Sequence, residues 1–208
     1  RRFLAQSEAP YGVTLWTQDG RTVAASAMRT GKPELRPMAI NPFLVNYRDQ
    51  SVAYTFETAP ASGIESFSRC DITLQASCSH EHFDLVIGLG LNVQTLCPCS
   101  KEISDFGAHN QRALVELSVR CRGLLWFEEM IAMIEASASA PLYTLLKRED
   151  EKFISELAYS RPRFVEDVLR ELAVQLDAES RVLWYKVSVT SYESIHGHDA
   201  FAEIERTK

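Results

Sequence analysis

His82-Phe83-Asp84-Leu85-Val86-Ile87-Gly88-Leu89-Gly90-Leu91-Asn92-Val93 sets an apolar side chain at every second position, with His82, Asp84, Gly88, Gly90 and Asn92 on the other side. A period of two is the period of a strand, so the stretch predicts a long strand with one buried face. Alternation resumes at Ala113, Val115, Leu117 and Val119, a second strand. Between them, residues 97–111 carry turn formers and no sustained period, and read as the joining loop. Further on the period changes. Phe127, Met130, Ile131 and Ile134 are spaced by three and four, predicting a helix from Trp126 to Ala138 that Pro141 cannot continue. The charged stretch Lys147 to Lys152 leads into a weaker helical pattern. Past Pro162, the positions Val165, Val168, Leu169, Leu172 and Leu176 mark a strong amphipathic helix. Arg181 to Tyr192 is rich in β-branched and aromatic residues, His196-Gly197-His198-Asp199 reads as a turn, and Ala200 to Ile204 returns as a partner strand. From residue 82 onward the order is two strands, helices, two strands, an α+β pattern.

Working back toward the N-terminus, Val52, Tyr54 and Phe56 alternate as one strand and Ile72, Leu74 and Ala76 as another. Between Tyr11 and Ser26, Asp19-Gly20 either turns a hairpin or interrupts a helix, and residues 11–42 stay undecided.

A length of 208 residues bounds the chain to one or two modules. With 46% hydrophobic and 24% charged residues, 8 Pro and 9 Gly, the composition is that of an ordinary folded domain. A net charge of -6 argues against a general nucleic-acid or membrane-surface binder, so an anionic ligand needs a local basic cluster. No apolar run approaches the ~18 residues of a membrane span and no secretion signal opens the chain, which points to the cytoplasm. Five cysteines at irregular spacing do not form a disulfide framework. A chain that starts at Arg1 without Met reads as a fragment.

Five histidines are present, none before His80, and three lie in the two irregular loops. Cys97 and Cys99 flank Pro98, and His109 follows on the same loop, where a fold-back would bring a thiolate and an imidazole to a zinc-type ion. That these three are unrelated loop residues is an equally open reading. His196 and His198, two apart, suit metal ligation or proton transfer, against the ordinary alternative of solvated turn histidines. By pattern alone Glu166 is a carboxylate on a polar helix face. Glu151, within Glu149-Asp150-Glu151, belongs to a solvated helix start. Cys70, Cys78 and Cys121 read as packing residues.

Three segments carry something more specific. Leu96-Cys97-Pro98-Cys99-Ser100-Lys101-Glu102-Ile103-Ser104 with Gly107-Ala108-His109-Asn110-Gln111-Arg112, then Arg161-Pro162-Arg163-Phe164-Val165-Glu166-Asp167, then Glu193-Ser194-Ile195-His196-Gly197-His198-Asp199-Ala200, resemble in order and spacing the motifs of the type IB GTP cyclohydrolases. The match runs over 83–205 and is diffuse before that. An upstream Gly-Thr-His-Met-Ser-Arg-Phe motif of the family has only Arg2-Phe3 as a counterpart.

The resemblance implies a tunnelling fold (T-fold): antiparallel ββααββ units with helices on one face. Two units per chain are expected, 1–79 divergent or truncated and 80–208 carrying the site, in a homotetramer. It implies Cys97, His109 and Glu151 as ligands of one divalent ion, zinc or manganese with iron also allowed. Glu166 becomes the carboxylate holding the guanine edge, and Cys97, His196 and His198 the catalytic groups, with Cys99 and Glu193 as supporting residues. The implied reaction converts GTP and water to 7,8-dihydroneopterin triphosphate and formate, the first step of tetrahydrofolate biosynthesis. Bulk water is a poor nucleophile at neutral pH, and a bound divalent cation lowers the pKa of its water toward ~7. The triphosphate calls for a basic cluster, for which Lys101, Arg112, Lys147, Arg148, Arg161 and Arg163 lie near the motifs. Two other readings compete. One is a T-fold nitrile reductase with a cysteine nucleophile and NADPH. The other is a purine-binding or structural zinc module with no position left for water.

Overall fold

The structure is a computed structural model that describes residues 13–18, 22–27, 45–78 and 83–208. It divides into two compact units, one of Arg1–Arg48 with Gln75–Leu85 and the other of Asp49–Leu74 with Val86–Lys208. In the first unit, β1 (Val13–Gln18) and β2 (Thr22–Ala27) pair antiparallel, from Val13 opposite Ala27 to Gln18 opposite Thr22. Of the two readings of residues 11–26, the hairpin is therefore the one that forms. The remainder of the undecided span, Asp19-Gly20 included, and Arg2-Phe3 lie outside the described residues.

The remaining strands build one sheet. β3 (Val45–Thr58), β4 (Glu65–Cys78), β5 (Phe83–Leu96), β6 (Asn110–Cys121), β8 (Val182–Ser191) and β9 (Ala200–Thr207) are neighbours in that order, and the two-residue β7 (Ala140–Pro141) adds to β5. β5, β6, β8 and β9 pair antiparallel in succession. The alternation read at residues 83–93 is the reason: Leu89, Leu91 and Val93 on β5 and Ala113, Val115, Leu117 and Val119 on β6 are all buried. Each such Val or Leu contributes roughly 1.5–3 kcal/mol when it leaves water. The strands run longer than their periodic cores, β5 reaching Leu96 and β3 and β4 spanning 14 residues each. Gly88, on the face opposite that apolar row, lies where β4 comes close: a Cβ there would stand 3.1 Å from Thr73 Cβ.

The helices follow the 3.6-residue pattern. α2 (Phe127–Ser137) buries Met130, Ile131 and Ile134, and α4 (Val165–Ala178) buries Val165, Val168, Leu172 and Leu176. α4 packs on β8, β9 and α2, so an antiparallel sheet covered by helices is the architecture, as expected from the order of periods. α3 (Arg148–Ser160) buries Asp150, Ile154 and Ala158. Two elements carry no periodic signal. α1 (Pro98–Ile103) buries nothing, and β7 is two residues long. α1 starts with Pro98 in the first turn, and the Cys97 Sγ accepts from Ser100 N at 3.4 Å, a local cap in place of an apolar face. Among the described residues no helix is long and apolar enough to cross a membrane. Cys70, Cys97, Cys99 and Cys121 are free thiols.

Candidate functional site

Strand register gathers the three motifs. Leu96 at the end of β5 lies opposite Asn110 at the start of β6, and Ala113 lies opposite Ser191 at the end of β8. Cys97, His109 and the 192–199 loop therefore emerge from the same end of three adjacent strands. The 97–109 loop folds back on itself: Cys97 N donates to His109 O at 3.1 Å and His109 N donates to Ser100 Oγ at 3.2 Å. Gly107, at φ 80°, supplies a left-handed turn on this loop.

His109, Glu193 and His196 each offer one ligand atom, all within 4.8 Å of one another; His109 and Glu193 are half-buried and His196 exposed. The rings of His109 and His196 stand 6.2 Å apart edge to face, and those of His196 and His198 stack at 5.3 Å. Gln111, near the start of β6 and two residues after His109, sits at the centre. Its Oε1 is 2.9 Å from His109 Nδ1, and its Nε2 is 3.3 Å from Thr95 Oγ1 and 3.4 Å from Glu193 Oε1. Ser194 Oγ approaches Gln111 Oε1 at 3.4 Å and His109 Nδ1 at 3.5 Å. Beneath them Thr95 Oγ1 and Ser191 Oγ pair at 3.3 Å, each side chain's residue only 1% exposed.

The other expected site residues stand around this cluster. Cys97 is half-buried and tied by its backbone to His109, while Cys99 is exposed on α1. Glu151 is exposed on the first turn of α3, whose Ile154 and Ala158 pack against Leu96, the residue before Cys97. Glu166 is exposed on the first turn of α4, and Arg163, just ahead of it, donates its backbone N–H to Leu96 O at 3.0 Å. Cys97, Cys99, Glu151, Glu166 and His198 lie outside the group of three ligand atoms, so of the expected ligands Cys97, His109 and Glu151 it includes His109 alone. Among the basic candidates, Lys101 Nζ donates to Tyr159 O at 2.6 Å and lies over the Tyr159 ring. The Arg161 guanidinium donates to Ala136 O, and Arg163 pairs with Glu171 at 3.4 Å. Arg112, Lys147 and Arg148 remain exposed.

Two residues of consequence escape a reading of pattern. Gln111 is a polar side chain in the register that Ala113, Val115 and Leu117 continue as core. That break in an apolar face is the signal that marks it. Asp150 has no such signal, since it lies in a charge run that reads as solvated. It is fully buried and accepts from Ala61 N at 2.9 Å, Ser62 N at 2.8 Å, Ser62 Oγ at 2.6 Å and Lys147 N at 2.9 Å. Burial alone pushes its carboxyl up, but these donors outweigh burial and hold it well below the usual carboxylate range. Asp150 thus fixes the turn between β3 and β4 to the start of α3, next to Glu151. Cys70 is the converse: burial, ahead of the nearby acidic groups, pushes its thiol up to about 11, consistent with an inert packing residue.

The donor set has the chemistry of a metal centre. Two imidazoles and a carboxylate, each with one ligand atom in the group, suit zinc and its first-row neighbours.

A family model described as type I GTP cyclohydrolase folE2 matches residues 49–202. A GTP cyclohydrolase FolE2 of Dictyoglomus thermophilum is 50% identical over 153 residues, which is 74% of this chain and 59% of that protein. The one from Kosmotoga olearia is 53% identical over 152 residues, 73% of this chain and 59% of its own, and the one from Thermotoga petrophila 51% over 153, or 74% and 59%. The chain thus spans about 59% of the length of the curated relatives it matches. Among solved structures, a uricase from Arthrobacter globiformis aligns over 78% of this chain and 63% of its own at 10% identity, with a TM-score of 0.44.

Proposed function

Since the chain belongs to the type I GTP cyclohydrolase folE2 family, we propose that its site opens the five-membered ring of GTP at carbon 8. One water is consumed overall, that carbon leaves as formate, and the sugar rearranges and recloses as 7,8-dihydroneopterin triphosphate. This is a hydrolysis of a cyclic amidine at the head of tetrahydrofolate biosynthesis. The observation that carries the reading is the convergence of His109, Glu193 and His196 within 4.8 Å, beside Cys97.

In this reading Cys97, His109 and Glu151 hold a divalent ion. A second arrangement, in which His109, Glu193 and His196 hold it, is favoured by their mutual approach. Metal content of Glu151→Ala and Glu193→Ala decides between the two. The chemistry such an ion supplies when bound is the acidification of water and the polarisation of an oxygen on the opened ring. The chain's own residues do the rest. Glu166 accepts the adjacent N–H and amino donors of guanine with its two oxygens, a pair adenine does not offer. His196 and His198 give protons to the ring nitrogens as the bonds break and take them back on reclosure, a role imidazoles fill near neutral pH. Of the six basic candidates, the exposed Arg112, Lys147 and Arg148 meet the triphosphate. The fold in this reading is a T-fold with units at 1–79 and 80–208, the protein a cytoplasmic homotetramer.

Metal analysis together with GTP turnover tests the proposal. Bound metal with stoichiometric formate release is the expected result. NADPH oxidation with a nitrile substrate would replace it by a reductase, and tightly bound metal without turnover by a structural zinc module.

A further inference from the structure

We infer that Gln111 is a positioning residue that sets the tautomer of His109, so that the Nε2 lone pair of His109 is the one offered to a metal ion. The inference rests on the proposed role of His109 as a ligand, and holds for either ligand set above because His109 belongs to both.

The argument runs through donors and acceptors. A glutamine amide has one end that only accepts and one that only donates. The end 3.4 Å from Glu193 Oε1 faces a carboxylate, which accepts and cannot donate, so that end is the NH2 group. The same NH2 donates to Thr95 Oγ1 at 3.3 Å. The carbonyl is then the end 2.9 Å from His109 Nδ1, and a carbonyl facing a ring nitrogen at that distance requires the nitrogen to carry hydrogen. In the neutral ring the other nitrogen is then the bare one. Glu193 therefore orients Gln111, and Gln111 orients His109, although neither carboxylate nor amide titrates in doing so.

What makes this a fixed device is its foundation. Gln111 is half-buried, and its amide is anchored on the Thr95–Ser191 hydroxyl pair, both residues 1% exposed. Ser194 Oγ, 3.4 Å from the same carbonyl, adds a donor from the 192–199 loop. A ligating histidine commonly uses its second ring nitrogen in this way, and losing the outer partner weakens metal binding by about 10–100-fold.

The test uses the full chain with 15N-labelled histidine, first stripped of metal, at a pH where the imidazoles are neutral. Nitrogen chemical shifts identify which ring nitrogen bears the proton. The wild-type spectrum is expected to show His109 protonated at Nδ1, and Gln111→Met, similar in length and without hydrogen bonds, to lose that preference. Titration with zinc alone should give an affinity lower by about 10–100-fold for Gln111→Met. Gln111→Glu keeps an acceptor for Nδ1–H and should retain the wild-type tautomer while losing its tie to Glu193. Wild-type His109 protonated at Nε2 overturns the inference, and does so even if a variant fails to fold. Unchanged tautomer and unchanged zinc affinity in a folded Gln111→Met overturn it as well. None of these readouts uses GTP, so loss of the cyclohydrolase reading would be seen separately, as absent formate release with the tautomer intact.

Discussion

Replacing Thr95 by Val tests whether the base of the site is held by its buried hydroxyls. Valine has the shape of threonine with a methyl in place of the hydroxyl, so no cavity opens at a position only 1% exposed. The cost is then one of hydrogen bonding. Ser191 Oγ, equally buried, loses its partner at 3.3 Å, and Gln111 Nε2 keeps only Glu193. An unmade bond at a buried hydroxyl costs about 1–3 kcal/mol, against roughly 1 kcal/mol for a typical bond made. Ser191→Ala should cost less, since the Thr95 hydroxyl still accepts from Gln111. The double variant removes both hydroxyls and leaves no orphan between them. It should therefore be destabilised by about 1 kcal/mol less than the sum of the single changes. Urea unfolding reads this directly: with a slope of about 1–3 kcal/mol per molar, Thr95→Val should lower the midpoint by on the order of 1 M at unchanged slope. A midpoint within about 0.2 M of wild type, or single effects that add within about 0.3 kcal/mol, would refute the reasoning.

Asp150→Asn should lose stability at neutral pH, because one side of the amide turns a donor toward the donors of Ala61, Ser62 and Lys147. The folded-state pKa of Asp150 is depressed, so its contribution is present above the unfolded value near ~3.9 and is lost as pH falls through the lower folded value. The gap between wild type and variant should accordingly be constant from pH 7 to about 5 and close below about pH 4, and a gap that widens on acidification would contradict this. Ile154→Ala empties the cluster of Leu96, Ala140 and Ala158 under the Cys97 loop and should cost about 2–5 kcal/mol by thermal or urea unfolding; a loss below about 1 kcal/mol would mean that α3 does not dock there. If Glu166 holds the guanine edge as proposed, Glu166→Gln should stay folded and retain metal while kcat/KM for GTP drops by roughly a hundredfold, about 3 kcal/mol, because an acceptor of the guanine donor pair would be replaced by a donor. Wild-type kinetics in that variant would leave Glu166 as the exposed helix carboxylate its surroundings describe.

The sequence by itself determined the elements whose burial is periodic. The alternation at 83–93 and 113–119 and the three- and four-residue spacing at 127–134 and 165–176 are local consequences of having one face in the core, and β5, β6, α2 and α4 stand where that spacing places them. Residue chemistry also marked Cys97, His109, His196 and His198, because scarce histidines and a Cys-Pro-Cys loop stand out in any one-dimensional reading, whereas Glu193 entered only through the family resemblance. What only the tertiary structure decided is which polar groups leave water and what they meet there. α1 and β7 have no buried period to announce them. Asp150 looks like its neighbours Glu149 and Glu151 until the turn 89 residues earlier in the chain closes over it and supplies its donors. Gln111 becomes the hinge of the site only when β5, β6 and β8 align, bringing Thr95, Glu193 and Ser191 to it from 16 and more residues away. Hydrogen-bond satisfaction inside a protein depends on contacts between distant segments, and no local period encodes those.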